Sequence, residues 1–339
     1  MRDFILHVGY PKTATTFLQT QVFPEFSAFG RASKQPQSKP IDRELKRVAL
    51  QEPASYWRSR KAERLLSRLF ELSDRESVLV SDEHWLWGPK MLSPPQKQGW
   101  KDSDDGRHPL AQHMEELKRT LSYKFGYRLK VIVTCRNQAD FIASYFAQCA
   151  NRYEVKVDQR TFLNVVNEVL AEPGFEGKAF LEYDRLYRDL LDVTEGRTCI
   201  LFQEQITEEC FWRSFATFTG LEAGKGLEFL KKQVREGQGV NRRRVTADTW
   251  KVEQYPLPKA WMRHLVSLPV PGNEELQKKL LLKIRKRINF FKGNKETVEL
   301  DAETKKTILS AYRRSNENLS ELCRIDLAEL GYLAERGDS

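Results

Sequence analysis

The chain has 339 residues, 40% of them hydrophobic and 11% aromatic, which excludes a disordered protein and is enough for a sizeable core. Lys and Arg number 56 against 47 Asp and Glu, and the resulting net charge of +9 fits an anionic ligand or surface without singling out nucleic acid. Five scattered cysteines (Cys135, Cys149, Cys199, Cys210 and Cys323), odd in number and without C-x-x-C spacing, exclude a disulfide scaffold and a structural zinc finger.

Those cysteines predict a reducing compartment. No stretch approaches the ~18 apolar residues that cross a bilayer, and the opening MRDFILHVGYPK lacks the shape of a signal peptide. A cytoplasmic chain is expected. No internal repeat or low-complexity tract interrupts it.

In chain order, residues 4–8 (FILHV) read as a buried strand. It ends at Gly9 and runs through YPKTATT into an amphipathic helix from about Thr15. A strand, a tight turn and a helix N-terminus direct several backbone N–H groups at one spot, which attracts phosphate or sulfate. Lys12 adds a charge, and Thr13, Thr15 and Thr16 add hydroxyl donors. Taken singly, these residues read equally as a solvated turn lysine and a threonine N-cap. The string is not a Walker A loop, because Ala14 stands where G-x-x-x-x-G-K-[ST] has its second glycine and the lysine comes earlier in the loop.

Residues 78–81 predict a second buried strand, ending on Asp82, Glu83 and His84. Residues 85–109, with four prolines and three glycines, read as a long loop of the kind that carries function. Its tryptophans, Trp85, Trp87 and Trp100, are either stacking surfaces for sugar rings or plugs of the local core. Residues 113–125 form an apolar stripe at helical spacing (Met114, Leu117, Leu121, Phe125). Strand 129–135 comes next, then Arg136, then helix 139–150 bearing Ser144 eight residues after the arginine. Arg136 offers a fork of donors to a phosphate, and Ser144 a hydroxyl; alone they read as a surface arginine and a helix serine bonded to its own backbone.

Helices are expected at 162–170 and 211–218, with a fourth strand at 198–202 between them. The run EGQGVNRRRV puts Gly237 and Gly239 beside Asn241, Arg242 and Arg243, a basic loop that backbone flexibility lets approach a ligand. Residues 241–273 are Pro-rich and carry Trp250, Tyr255 and Trp261. A basic helix is expected at 276–292; it reads either as a peripheral contact with an anionic membrane or as a surface helix with a solvated charged side. Residues 302–330 are helical and expected to pack back onto the domain. Strands alternating with helices predict an α/β fold, a central parallel sheet flanked by helices, with ligands at the carboxyl ends of the strands.

The string Y-P-K-T-A-T-T-F-L-Q resembles the 5′-phosphosulfate loop, P-K-[ST]-G-[ST]-[ST], of sulfotransferases that use 3′-phosphoadenylyl sulfate (PAPS). Ala14 replaces the commoner glycine. The segment VIVTCRNQADFIASYF is similar to the family's 3′-phosphate segment, R-[ND]-P-x-D-x-x-x-S, with Gln138 in place of the proline. The tail, with Tyr312, Ser315, Asn316, Leu319 and Asp326-Leu327, resembles bacterial carbohydrate-type members. Residues 30–75 and 245–295 carry no match.

The resemblance implies one domain over 1–339 with the P-loop NTPase-like sulfotransferase fold and helical insertions, 85–109 and 241–295 capping the acceptor site. It implies PAPS as co-substrate, without metal, bound by Lys12, Thr13, Ala14, Thr15, Thr16, Arg136 and Ser144, with Asn241 and Arg242 in a late loop reaching the 3′-phosphate side. Lys12 would stabilise the leaving phosphate, while Thr15 and Thr16 would bind the 5′-phosphate. Glu83 is the expected base by analogy with carbohydrate sulfotransferases, and His84 the alternative by analogy with the cytosolic small-molecule branch. The expected acceptor is a hydroxyl on a saccharide, glycolipid or small metabolite. Three other readings compete: a magnesium-dependent small-molecule kinase, a basic nucleic-acid-binding protein, and a relative that binds the nucleotide without catalysis. The displaced lysine, the absence of a recognition motif, and the presence of Lys12, Arg136 and Ser144 count against them in turn.

Overall fold

The structure is a computed structural model that describes residues 2–23, 29–31, 39–71, 77–86, 106–150, 157–220, 228, 231–232, 244–253 and 295–334. Its first strand, β1 (Arg2–Gly9), leads into α1 (Thr15–Phe17), which continues as a π-helical turn, Leu18–Val22. Then come β2 (Phe29–Arg31), α2 (Lys39–Gln51), a 3₁₀ turn Ala54–Arg58, α3 (Arg60–Glu71) and β3 (Ser77–Ser81). A 3₁₀ turn, Glu83–Leu86, closes β3. Helix α4 (Pro109–Thr120) extends through a π turn, Leu121–Phe125, into β4 (Tyr127–Cys135). The chain goes on through α5 (Gln138–Cys149), α6 (Gln159–Ala171), α7 (Tyr183–Val193), β5 (Thr198–Phe202) and α8 (Glu209–Thr219). Strands β6 (Arg244–Thr246), β7 (Thr249–Glu253) and β8 (Lys295–Glu299) and helix α9 (Ala302–Cys323) complete it.

Strands β1 to β5 form one parallel sheet in the order β2-β3-β1-β4-β5. The fold is therefore α/β with a central parallel sheet flanked by helices, as the alternation of elements predicts. Side-chain alternation assigns the faces. Phe4, Leu6 and Val8 join Val78, Val80, Val131 and Val133 in the larger core, under α4, α5 and α7. Ile5, Leu79, Ile132 and Leu201 point the other way, onto Phe17 of α1, Leu18 of the π turn, and Phe211, Trp212 and Phe215 of α8. All four predicted strands are present and extend by a residue or more except 198–202, which is matched end to end.

The order carries the functional consequence. The chain leaves β1 toward β2 and β3 but leaves β4 toward β5, so the connections diverge between β1 and β4. Such a switch point opens a crevice at the carboxyl ends of the strands.

A second sheet, β6-β7-β8, is antiparallel, and its Trp250, Val252 and Val298 enter the same core as Phe146 and Phe162. Helix α9 packs on α5 and α7: Tyr312 and Leu319 are buried, Ser315 donates to Asp184 (2.5 Å), and Asn316 exchanges hydrogen bonds with Gln138 (2.7 and 3.2 Å). The tail thus folds back as expected. Among the described residues no helix is long and apolar enough to cross a membrane. The expected basic helix at 276–292, Trp87, Trp100, Tyr255, Trp261, Gly237 and Gly239 lie outside the described residues.

Of the two readings of Trp85, the structure gives the core one. The ring is 1% exposed and stacks on Trp57 at 6.1 Å, with His113 against its edge. Replacing it by alanine should lower stability by about 3–5 kcal/mol, the usual loss for a large buried aromatic. Urea unfolding reads this directly, and a loss below about 1 kcal/mol would be incompatible with the stacked, buried ring.

Candidate active site

The loop after β1 is fixed at both ends. Tyr10 continues the ladder by donating its N–H to Thr134 O (3.1 Å), and its hydroxyl donates to Phe180 O (2.8 Å). Its buried ring packs against Phe141, Phe180 and Tyr183. The chain then turns sharply, with Thr13 N–H donating to Tyr10 O (3.3 Å). Lys12 (φ 72°) and Ala14 (φ 58°) both adopt left-handed conformations that ordinarily favour glycine. The consequence is a helix that starts at Thr15 with no side-chain cap. The first N–H groups of a helix have no acceptor within it, and Ala14 offers them no side-chain oxygen. Gly9 is required for the approach: a Cβ there would lie 2.2 Å from Thr15 Cγ2 and 2.4 Å from Thr134 Oγ1.

The predicted residues divide around this loop. Lys12 is half-buried and Thr16 exposed. Thr13 turns inward, its hydroxyl donating to Tyr10 O (2.6 Å) and meeting Thr134 Oγ1 (2.8 Å). Thr15 is buried and donates from its hydroxyl to Glu83 Oε2 (2.7 Å). The sheet brings this contact about. Strand β3 pairs directly with β1, and Asp82 N–H extends the pairing by donating to His7 O (3.1 Å), so Glu83 emerges beside the loop. His84 is engaged differently: both its backbone N–H (2.9 Å) and its Nδ1 (2.5 Å) contact Asp82 Oδ1. Of the two candidate bases, Glu83 contacts the loop and His84 is held by its neighbour.

Arg136 emerges on the other side, from the end of β4. Its side chain is buried, with Nη2 donating to Asp140 Oδ2 (3.1 Å) and Nη1 donating to Ser144 Oγ (3.2 Å). Nη1 also reaches Lys12 O at 3.4 Å. Two sequence motifs more than a hundred residues apart therefore meet at one guanidinium. The segment is braced from behind. Asn137 caps α5 through Ala139 N–H (3.0 Å), and Tyr183 Oη donates to Arg136 O (2.8 Å). Glu204 accepts from Asn137 N–H (2.8 Å) and Tyr332 Oη (3.0 Å). Burial pushes the Glu204 carboxyl up, against the pull of the Asn137 N–H and the Arg136 charge. Asn241 and Arg242 lie outside the described residues.

Beneath the loop the sequence reading missed a group of buried polar side chains: His7, Gln19, Ser81 and Thr134. The signal was present in His7, a polar residue within the apolar run FILHV, which a strand buried on both faces can hold only with partners. Burial lowers the His7 imidazole to about 3, so the ring is neutral.

No protein-family model matches the chain, and no curated protein matches it in sequence. Among solved structures, a crystal structure of retinol dehydratase in a complex with retinol and PAP is similar over 85% of this chain and 82% of that one. The identity is 14% and the TM-score 0.29.

Two substitutions test the loop. Gly9→Ala should destabilise the protein by about 1–3 kcal/mol through overpacking against Thr15 and Thr134, and unchanged stability in urea would contradict the close approach. Ala14→Gly removes a left-handed penalty of about 1–2 kcal/mol and loosens the unfolded chain by about 0.4–1 kcal/mol. Its midpoint of thermal unfolding should stay level or rise. A clear fall would mean that residue 14 is ordinary helix.

Proposed function

We propose that the chain transfers a sulfuryl group from PAPS to an acceptor hydroxyl. The observation that carries this reading is the meeting at Arg136: its guanidinium touches both Ser144 and the carbonyl of Lys12. In this reading the loop after β1 is the anion cradle, flanked on the β4 side by Arg136 as a second cationic anchor and, across Thr15, by the Glu83 carboxylate on the β3 side. The two motif resemblances assign the same residues to the two ends of one nucleotide.

In this reading the loop amides, Lys12 and Thr16 receive the 5′-phosphosulfate, and Thr13 and Ala14 shape the loop. Thr15 contributes its backbone N–H, since its hydroxyl proton is given to Glu83. Arg136 takes the 3′-phosphate, joined by Ser144 once its hydroxyl turns from Phe141 O (3.2 Å) to the ligand. A guanidinium has five N–H donors, and the three contacts among the described residues leave two for a ligand. Asn241 and Arg242 would close over the same phosphate. Glu83 removes the proton of the acceptor hydroxyl as its oxygen bonds to sulfur, with His84 the alternative base. Lys12 stabilises the charge that gathers on the bridging oxygen as the old sulfur–oxygen bond breaks. No metal takes part in this scheme.

The acceptor in this proposal is a carbohydrate or glycolipid hydroxyl, and residues 85–109 and 241–295 cap it within a single domain over 1–339. The proposed location is cytoplasmic, with 276–292 a surface helix whose charged side is solvated or, as the alternative, a peripheral contact with an anionic membrane. Liposome co-sedimentation that does not depend on anionic lipid would remove that last element.

Calorimetric titration with adenosine 3′,5′-bisphosphate (PAP), without metal, tests the site. Wild type should bind in the micromolar range. Arg136→Ala should weaken binding by about 2–5 kcal/mol, as loss of a buried charged partner does. Lys12→Ala should keep most of the product affinity and lose transfer from PAPS. Absence of binding to wild type, or binding of ATP with magnesium instead, would overturn the proposal.

A further inference from the structure

The polar side chains under the loop form one hydrogen-bond chain whose direction can be worked out atom by atom. Thr13 Oγ1 donates its single proton to Tyr10 O (2.6 Å). Its 2.8 Å contact with Thr134 Oγ1 must therefore be donated by Thr134. Thr134 has then spent its own proton, so its 3.3 Å contact with His7 is donated by Nε2–H of the ring. A neutral imidazole protonated on Nε2 carries a lone pair on Nδ1, which accepts from Ser81 Oγ at 2.6 Å. Ser81 Oγ in turn accepts from Gln19 Nε2 (2.9 Å), which also reaches Ser81 O (3.2 Å). Every hydroxyl donates once and accepts once along the run from Gln19 to Tyr10. A proton on Nδ1 would leave the bare Nε2 facing Thr134 Oγ1, whose own proton is already given to Thr13, and the sequence would break there.

The chain's position gives it meaning. His7 pairs in register with Ser81 of β3, two residues before Glu83. Thr134 of β4 is two residues before Arg136 and pairs in register with Gly9. Thr13 lies inside the anion loop itself. We infer that His7, as the neutral Nε2–H tautomer, is a positioning residue that locks the Tyr10–Thr15 loop to the strand ends bearing Glu83 and Arg136. The inference rests on the anion-binding reading of the loop, but it is about the loop's geometry rather than the chemistry of transfer. His7 touches no reacting atom in this scheme. It acts through Thr134 and Thr13 on one side and through Ser81 on the other.

Three measurements on the full chain test it. The first is ¹⁵N NMR of the histidine rings, with His7→Gln used to assign the signal. It should show His7 protonated on Nε2, bare on Nδ1, and unresponsive to pH around the usual imidazole value of about 6.5. The second is hydrogen exchange of the amides from Tyr10 to Phe17. His7→Phe keeps a ring and removes both polar atoms; His7→Gln restores one acceptor and one donor. Thr134→Val is nearly isosteric and cuts a single link, so it decides the matter if His7→Phe does not fold. His7→Phe or Thr134→Val should speed loop exchange by about tenfold or more while amides of β5 keep their protection, and His7→Gln should stay within about threefold of wild type.

The third is PAP affinity, expected to fall by about tenfold in His7→Phe and Thr134→Val and to recover in His7→Gln. A His7 that titrates normally or carries its proton on Nδ1 overturns the inference, as does unchanged loop exchange in both disrupting variants. If wild type binds no PAP while the tautomer and the exchange pattern hold, the sulfotransferase reading fails and the positioning role of His7 stands.

Discussion

The buried guanidinium of Arg136 is the constraint on which the site depends. Taking an arginine out of water is expensive unless its donors and its charge are met inside the protein. Here the charge faces Asp140 at 3.1 Å, and the donors reach Ser144 and the carbonyl of Lys12. The carbonyl contact is the one with a consequence beyond α5. It requires the turn after β1 to present Lys12 O toward β4, and that turn is made through left-handed conformations at Lys12 and Ala14. A local strain in the loop is thus held in place by a residue from another strand, which is how unfavourable backbone conformations persist at sites of this kind.

Sheet order makes this arrangement available. Because β1 lies between β3 and β4, the loop leaving β1 is flanked by the segments leaving its two neighbours. The register is tight enough to dictate identities. Gly9 lies opposite Thr134, and only the missing side chain at residue 9 lets Thr15 and Thr134 close over it. His7 lies opposite Ser81, which brings the end of β3, and Glu83 with it, to the first residue of α1. The carboxylate, the loop and the guanidinium come from three strand ends, and none of them depends on a long flexible segment for its position.

This is also why so much of the candidate site is legible in the sequence. Strands buried on both faces announce themselves as short apolar runs, and residues directly after such runs inherit the carboxyl edge of the sheet. Lys12, Glu83 and Arg136 could be placed that way without knowing the order of strands. What could not be read were contacts made across that order: Thr15 with Glu83, Arg136 with Lys12 O, and the inward turn of Thr13. The tryptophan at 85 was ambiguous for the same reason, since its neighbour Trp57 belongs to a segment that no motif marked. Helix α3 was missed although Ala62, Leu65, Leu66 and Leu69 keep helical spacing, because the charged residues between them dilute the stripe. Helix α7 likewise hides its Leu186, Leu190 and Val193 among acidic and basic neighbours. The three residues of β2 give no periodicity at all.

His7 shows how a residue that looks like an error of patterning can be the most informative one in a strand. A valine there would satisfy the period of β1 but take from Ser81 the acceptor for its buried hydroxyl proton and from Thr134 the donor that meets its oxygen. An imidazole serves both because it is the one ring that donates from one edge and accepts at the other while remaining uncharged. Its neutrality comes from burial, and its direction comes from the single proton each hydroxyl has to give. The loop therefore inherits a fixed polarity from beneath, ending on the Tyr10 carbonyl, and a fixed position from the side, at Arg136. A backbone held from two directions in this way is already shaped before any ligand arrives, so the anion binding proposed for it need not order the loop first.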